Sequence, residues 1–585
     1  MSPYDTYTSP LATRNASPEM LRLWSARHKF NTWRKIWLAV AEAQHEVGLG
    51  RSADSKGAPS ASSGSGNPAR ELVTREQVEE LRAVVNRPGG ITDDEIRAAE
   101  RYERELRHDV MAHVHALGDS CPKAKGIIHL GMTSQDVVCN ADLGVLEQST
   151  HLIQLKIVRT ISNLATQSHH HKHLAALGFT HYQPAQPVTV GRRLAQWAAE
   201  LELCFQSMSY RWQNLYAHRK GLRGATGTQA SFSSLAEDAA SVDELEARVI
   251  YNLTERFDPN EAFSADAADR LLNLEIKNCQ RWSRIWSSEG EQTSAAEYRA
   301  KAERLQALTP TERRHFFANK MRTAHTYSLV TQTYPRVIDT FILADLASVA
   351  SVLHKIATDI RLLCNRKEID EPFEDKQIGS SAMPYKRNPM RCERICGLTR
   401  FVMNLVGNAY DTAATQWLER TLDDSSNRRL SLPEAFLALD GALDLMHNVA
   451  SGLIVHEAMV RKNLMAELPF LATENILMAA VKAGGDRQHY HELIRQHAQA
   501  AGMRVKQEGL DNDLLERLRN DPNFWSASRG GPLREELNWE GLMDPMKYIG
   551  RSVEQTERFI AEVVEPLREQ YKDALDNLGD SSPRV

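Results

Sequence analysis

Two hydroxyls, two cations and an amide crowd into one short run, Gly379-Ser380-Ser381-Ala382-Met383-Pro384-Tyr385-Lys386-Arg387-Asn388-Pro389. Gly379 and the prolines bar a regular helix, so the run is a loop, and a loop this rich in donors seldom merely connects. On composition alone it also reads as a Gly/Ser/Pro hinge with solvated cations. Two more polar runs, Gly131-Met132-Thr133-Ser134-Gln135-Asp136 and Gly178-Phe179-Thr180-His181-Tyr182-Gln183-Pro184-Ala185-Gln186, share its setting just before a long helical stripe. Helix N-termini present unpaired N–H groups and a positive dipole end, so three such loops gathered at one end of a bundle would form an anion site. Taken singly, each reads as ordinary capping by Thr133 or Ser134, or as a satisfied His181. Arg391, Arg394, Arg420, Arg428 and Arg429 add forked donors suited to carboxylates and phosphates, or to the neighbouring Glu393, Glu419, Asp423 and Asp424.

Other patterns carry less. Gly221, Gly224 and Gly227 follow no strand signal and are no dinucleotide fingerprint. His169, His170, His171 and His173 read as a solvated helix end, and no metal site is expected.

Long helices must position these loops. Leu194, Trp197, Leu201, Phe205, Met208, Trp212 and Leu215 recur at three- and four-residue steps, one face of a helix of roughly six turns or ~33 Å. Similar stripes over 146–164, 337–363 and 430–454 predict an all-α fold, a central bundle of long, roughly antiparallel helices with smaller helical terminal domains. Strand signals are sparse. The divisions expected are 1–132, 133–455 and 456–585. Ser17-Pro18-Glu19 reads as N-cap, first residue and acidic first turn of a helix, and helical patterning runs from Glu76 to Leu117 with a break at Pro88-Gly89-Gly90. The Ser/Gly/Ala-rich stretch reads as a flexible insertion over 51–75, and the charged, tryptophan-punctuated 255–325 as an inserted helical excursion.

The 585 residues are 42% hydrophobic and 25% charged, the balance of a soluble globular chain, and no run of about 18 uninterrupted apolar residues suggests a membrane span. With 71 basic and 76 acidic groups the formal charge is −5, which gives no electrostatic case for nucleic acid. Seven scattered cysteines form a reduced-thiol pattern, and the N-terminus lacks a signal-peptide core, so a cytoplasmic location is expected.

The loop at 379–389 resembles the signature loop of the fumarase/aspartase superfamily of lyases. Together with Pro10-Leu-Ala-Thr-Arg14, Arg107-His-Asp-Val-Met-Ala-His-Val-His115 and Thr421-Leu-Asp-Asp-Ser425, it is similar to the eukaryotic type of the adenylosuccinate lyase family. That resemblance implies a homotetramer with active sites shared between subunits, purine nucleotide substrates and no cofactor. The implied reaction is elimination of fumarate from adenylosuccinate, giving AMP, and from succinylaminoimidazole carboxamide ribotide, giving AICAR. Another superfamily lyase, such as argininosuccinate lyase or fumarase, and a silent structural relative are the alternatives.

Carried over by motif, Ser380 would be the base, with Ser381 the alternative, and His181 the general acid with His108 positioning. Lys386 and Asn388 would hold the succinyl carboxylates. Arg14, Arg107, Asp109, Thr133, Ser134, Thr180, Gln229, Arg394, Arg420, Ser425 and Arg429 would contact substrate, Ser425 and Arg429 at its phosphate. Asn15 stands where the family usually has tyrosine. The glycine and prolines of 379–389 would let it act as a lid.

Overall fold

The Ser17 hydroxyl accepts the Met20 N–H at 3.2 Å and Pro18 takes the first helical position, so the first helix, α1 (Pro18–Leu23), starts where its capping residues predict. It follows a π-turn, Leu11–Asn15. The computed structural model describes residues 5–49, 71–236, 238–255, 267–288, 291–309, 312–313, 316, 325–374, 377–378, 382–383, 385–525 and 538–579. Helix α2 (Ala26–Glu46) buries Trp33, Ile36, Trp37 and Val40 on one side. Helices α3 (Arg75–Val85) and α4 (Asp93–Leu106) both open with reciprocal capping boxes, Thr74/Gln77 and Thr92/Glu95. The flexible reading of 51–75 is corrected at its end. Val73 is buried in a core, Glu71 meets His45 at 2.9 Å, and Arg75 is already helical; residues 50–70 lie outside those described.

A second correction concerns the run from Glu76 to Leu117. It breaks not only at Pro88-Gly89-Gly90 but again at Arg107-His108, before α5 (Asp109–Ser120). Arg107 is left-handed (φ 54°), and extended His108 caps α5, its Nδ1 accepting the Met111 N–H at 3.3 Å. A one-residue reversal leaves the apolar period almost intact, which is why periodicity passes over it.

Helix α6 (Ser134–His170) has 37 residues, a span of roughly 55 Å. Two small antiparallel ribbons follow, β1 (Ala175–Ala176) with β4 (Val188–Thr189) and, between them, β2 (Phe179–Thr180) with β3 (Gln183–Pro184). Helix α7 (Val190–Arg211) runs back along α6: Ser168 Oγ donates to Gly191 O at 2.6 Å and Gln154 to Ser209 at 2.9 Å. The stripe expected to stay α-helical through Leu215 changes to a π-turn, Trp212–Tyr216.

Two shorter helices, α8 (Ala230–Leu235) and α9 (Ala239–Glu255), join α2, α3 and α5 around a core that includes Trp33, Trp37, Leu81, Leu117, Phe232 and Leu245. Helices α10 (Ala267–Ser288) and α11 (Gln292–Gln306) form a hairpin with its own small core of Leu272, Ile276, Cys279, Ala302 and Leu305.

Helix α12 (Val337–Asn365), the β5 residues Ile369–Asp370, α13 (Met390–Ala414) and α14 (Asp424–Ser451) complete the bundle, and β5 pairs with β6 (Ile454–Val455). Directions follow from side-chain pairs. Arg428 near the start of α14 reaches Asp142 near the start of α6 at 3.1 Å, and Asn163 meets His447 toward their ends at 2.6 Å. Arg336 pairs with Asp424 at 2.7 Å, so α6, α12 and α14 all begin at one end, while α7 and α13 run back. Leu143, Ile157, Leu194, Trp197, Leu353, Phe436 and Leu443 fill the interior between them.

Alone among the described helices, α12 is long and apolar enough to cross a membrane; 56% of its most apolar window is buried in the bundle. Beyond β6, Ile476, Tyr490, Leu514 and Phe524 build a third core. The last helices fold back on the bundle: Arg568 donates to Ser162 at 2.8 Å, and Tyr571 packs edge-on against Phe205.

Candidate active site

The residues expected to do chemistry fall into three groups, set by where the bundle helices begin and end. The first surrounds the start of α6. His108 Nε2 lies 3.3 Å from Ser134 Oγ, so the break before α5 and the first turn of α6 present an imidazole and a hydroxyl side by side. Next to them, Arg429 donates to Asp109 Oδ2 at 2.9 Å. Burial opposes charge on Asp109, but the Val110 N–H, Arg429 and Lys29 outweigh it and hold its carboxyl below the usual range. Arg420 donates to Ser425 Oγ at 3.2 Å and, with the Gln135 carboxamide turned to satisfy both groups, to Gln135 at 3.1 Å. His108, Asp109, Thr133, Ser134, Arg420, Ser425 and Arg429 thus converge.

What holds this group is a buried ion pair. Asp136 and Lys220, both fully buried, meet directly, and Asp136 also accepts the Thr133 N–H at 2.9 Å, the Arg223 N–H at 3.0 Å and the Gly224 N–H at 3.2 Å. The glycine run therefore wraps a carboxylate of this same chain. Gly221 (φ +82°) holds a conformation that side chains rarely adopt, and a Cβ there would lie 2.2 Å from Glu246 Oε1 and displace that carboxylate. Gln229, also left-handed, donates its amide to Leu222 O at 2.9 Å and locks the loop rather than pointing outward. Arg107 stays exposed beside His108.

The second group is the tip of the β2–β3 hairpin. Thr180 pairs with Gln183, and the two residues between them, His181 (φ 53°) and Tyr182 (φ 57°), are both left-handed. Such a turn usually takes Asn-Gly, and each side chain here costs about 1–2 kcal/mol. His181 is exposed, and its ring meets no hydrogen-bonding partner among the described residues. The hairpin follows the end of α6 and packs beside the end of α12, where Arg366 stacks on Phe179 at 4.7 Å. The expectation that all three loops share one end of a bundle is therefore corrected for a single chain. Ser134 and His181 lie at opposite ends of α6, on the order of 50 Å apart.

The third group lies around the start of α13. Lys386 is exposed, its N–H bonded to Met383 O at 3.0 Å, and Asn388 O accepts the Met390 N–H at 2.8 Å. Ser380 and Ser381, with Gly379 and Pro384, lie outside the described residues, so the proposed base and the lid do too. Arg394 and Arg14 stand close: burial and then Arg14 push the Arg394 guanidinium down from its ordinary value. Two cations held together suit an anion between them. Asn15, in contrast, turns its amide back to Pro10 O at 3.0 Å, while its backbone packs on Gly441.

Comparison with known proteins decides the lineage. A lyase family profile matches residues 16–270 and 309–404, and one described as the adenylosuccinate lyase C-terminus matches 469–559. Adenylosuccinate lyases of Schizosaccharomyces pombe and Saccharomyces cerevisiae are each 40% identical to this chain, over 98% and 99% of it and 98% of their own lengths. The chain belongs to the adenylosuccinate lyase family. The family's fold extends further: a 3-carboxy-cis,cis-muconate lactonizing enzyme from Pseudomonas putida superposes with a TM-score of 0.65 at 21% identity, covering 95% of this chain and 99% of that one. A fumarate lyase from Mesorhizobium gives 0.64 at 18%, with the same coverage. Residues 271–308, unmatched by the lyase profile, cover most of the α10–α11 hairpin.

Within the arginine set, the structure separates framework from site. Arg428 is fully spent inside the bundle on Asp339, Asp142 and the Tyr334 hydroxyl, and Arg391 is taken by Glu374 and Pro372 O. Sequence reading missed Lys29, which lies over the Trp33 ring at 4.8 Å and faces Asp109, Asp142 and Arg429. It also missed the Asp136–Lys220 pair and Gln135. An acidic residue three positions after Thr133 was a visible capping signal; the lysine that meets it 84 residues later was not.

Proposed function

We propose that this chain is an adenylosuccinate lyase, eliminating fumarate from adenylosuccinate to leave AMP and performing the same elimination on succinylaminoimidazole carboxamide ribotide. The observation that carries it is 40% identity over nearly the whole chain to two adenylosuccinate lyases. The Arg420–Ser425–Arg429 cluster beside His108 supports it, since a phosphorylated substrate needs forked donors that argininosuccinate lyase and fumarase do not.

In this reading Ser380 removes the Cβ proton, with Ser381 the alternative. Lys386 and Asn388 hold the succinyl carboxylates, where charge builds, and His181 delivers a proton to the departing nitrogen. His108, steadied by Ser134, positions that nitrogen. Ser425 and Arg429 take the phosphate; Arg14, Arg107, Asp109, Thr133, Thr180, Arg394 and Arg420 line the rest, while Gln229 and Asn15, their amides turned to backbone carbonyls, shape the segments behind them. No metal or cofactor takes part.

Because Ser134 and His181 occupy opposite ends of α6, one chain cannot bring both to one substrate, and we assign the active form to a homotetramer with shared sites. Leu203, Tyr210, Phe401, Tyr410 and Leu430, all exposed on α7, α13 and α14, supply the apolar surface such an assembly would cover. The scattered thiols, Cys392 and Cys396 among them buried and unpaired, fit a cytoplasmic enzyme.

Purified protein given adenylosuccinate, with no added metal or nucleotide, is expected to raise fumarate absorbance, with argininosuccinate and malate as control substrates. Turnover of either control in preference to adenylosuccinate, or none at all, overturns the reading. Ser380→Ala should still bind substrate while losing turnover by orders of magnitude; unchanged turnover moves the base to another residue.

A further inference from the structure

A cavity of 610 Å³ opens between α2, the turn after α3 and the middle of α6, and none of the candidate site residues lines it. Its wall is rich in cations. Lys35 has no carboxylate within ion-pair reach among the described residues, and burial pushes its ammonium down from the ordinary value. The Nε2 atom of His28 is buried there without a hydrogen-bond partner, and burial and then Lys35 push that imidazole down as well. Arg87 shares the single carboxylate of Glu95 with Arg34, leaving that trio with an excess positive charge. One carboxylate lines the cavity, Glu147, and Arg219 already neutralises it at 2.5 Å. His151 and Trp212 also line the cavity, ring centroids 5.9 Å apart and planes tilted by 34°, an aromatic surface in the same wall.

Uncompensated cations, a partnerless imidazole nitrogen and an aromatic wall need different things from a ligand: negative charge, an acceptor oxygen and a flat ring. We propose that this cavity binds a nucleoside phosphate at a site separate from the candidate active site, its phosphates toward Lys35, His28 and Arg87 and its ring on Trp212. Glu147 sits 13 residues along α6 from Ser134, roughly 20 Å away. One ligand cannot fill both places. The helix that supplies Lys35 and His28 also carries Lys29, which faces Asp109 and Arg429, so α2 touches both sites.

The test is calorimetric titration of the full-length protein with ADP and, separately, inorganic pyrophosphate. ADP should bind, and the double variant Lys35→Ala/His151→Ala should weaken it by about tenfold or more, the loss of one or two charge-assisted contacts. Arg429→Ala, on α14 beside the start of α6, should leave that affinity unchanged. Pyrophosphate should bind more weakly than ADP, because it cannot use Trp212. Fumarate release by the double variant without ADP should match that of the parent, which excludes misfolding as the cause. Absence of ADP binding, ADP affinity indifferent to the double substitution, or loss of ADP binding in Arg429→Ala overturns the site. Equal affinity for pyrophosphate and ADP overturns its assignment to a nucleoside.

Discussion

The two ends of α6 solve opposite problems. At its start, His108 meets Ser134, Arg429 meets Asp109 and Arg420 meets Ser425, and the loop behind them is clamped by the buried Asp136–Lys220 pair. At its end, His181 stands exposed on a hairpin tip whose two central residues are both left-handed without being glycine. The first is a cluster whose side chains are partnered within the same chain. The second is held in an unfavourable conformation with its ring unused. Strain of that kind persists where the surroundings impose it and a function rewards it, and in the proposed tetramer the second end is the one that would meet another copy.

The sharpest way to break this contrast is subunit mixing. His108→Ala and His181→Ala should each lose about 10²–10⁴-fold in turnover. Dissociating and reassembling the two variants together should restore a fraction of wild-type activity, because some mixed sites receive both native histidines. No recovery in a confirmed mixed tetramer would place both histidines in one subunit's site.

The clamp at the partnered end should come next in size. Asp136→Asn leaves Lys220 buried without a counter-charge, at a cost of about 3–5 kcal/mol in denaturant unfolding. A loss below about 1 kcal/mol would show that the pair is not what holds the loop.

Glu246 backs the same loop, accepting the Leu222 N–H at 2.9 Å and pairing with Arg223 at 3.0 Å. Burial pushes its carboxyl up to about 7 against the pull of Arg223 and that N–H. The folded chain thus holds this proton more tightly than the unfolded one. Its contribution to stability is greatest below pH of about 4.5 and is lost as pH rises toward about 7, on the order of 3 kcal/mol in all. Glu246→Gln should flatten that part of the stability–pH curve, and a variant curve as steep as the parent's would assign the slope elsewhere.

The smallest effect belongs to the strained end. His181→Gly removes a side chain from a left-handed position and should raise stability by about 1 kcal/mol while lowering turnover as His181→Ala does. If stability falls instead, the tip is held by packing and not by functional demand.

Composition, periodicity and capping residues determined a good deal by themselves. The all-α class, the long stripes, the start of α1 at Ser17-Pro18 and the grouping of hydroxyls and cations into loops all follow from local propensity, which acts over a few residues and is written in adjacent letters. The motifs around Ser380, His108 and Ser425 were equally legible as a family resemblance.

Tertiary structure alone decided the rest. It broke the helix at Arg107-His108, so that an imidazole faces Ser134. It spent Arg428 on the framework and left Arg420 and Arg429 beside the candidate site. It brought Lys220 to Asp136 across 84 positions, and set His181 a helix length away from Ser134. Each of these is a pairing between distant segments, fixed by which buried charges must meet and by how far a rigid helix reaches. Neither quantity appears in the spacing of residues along the chain.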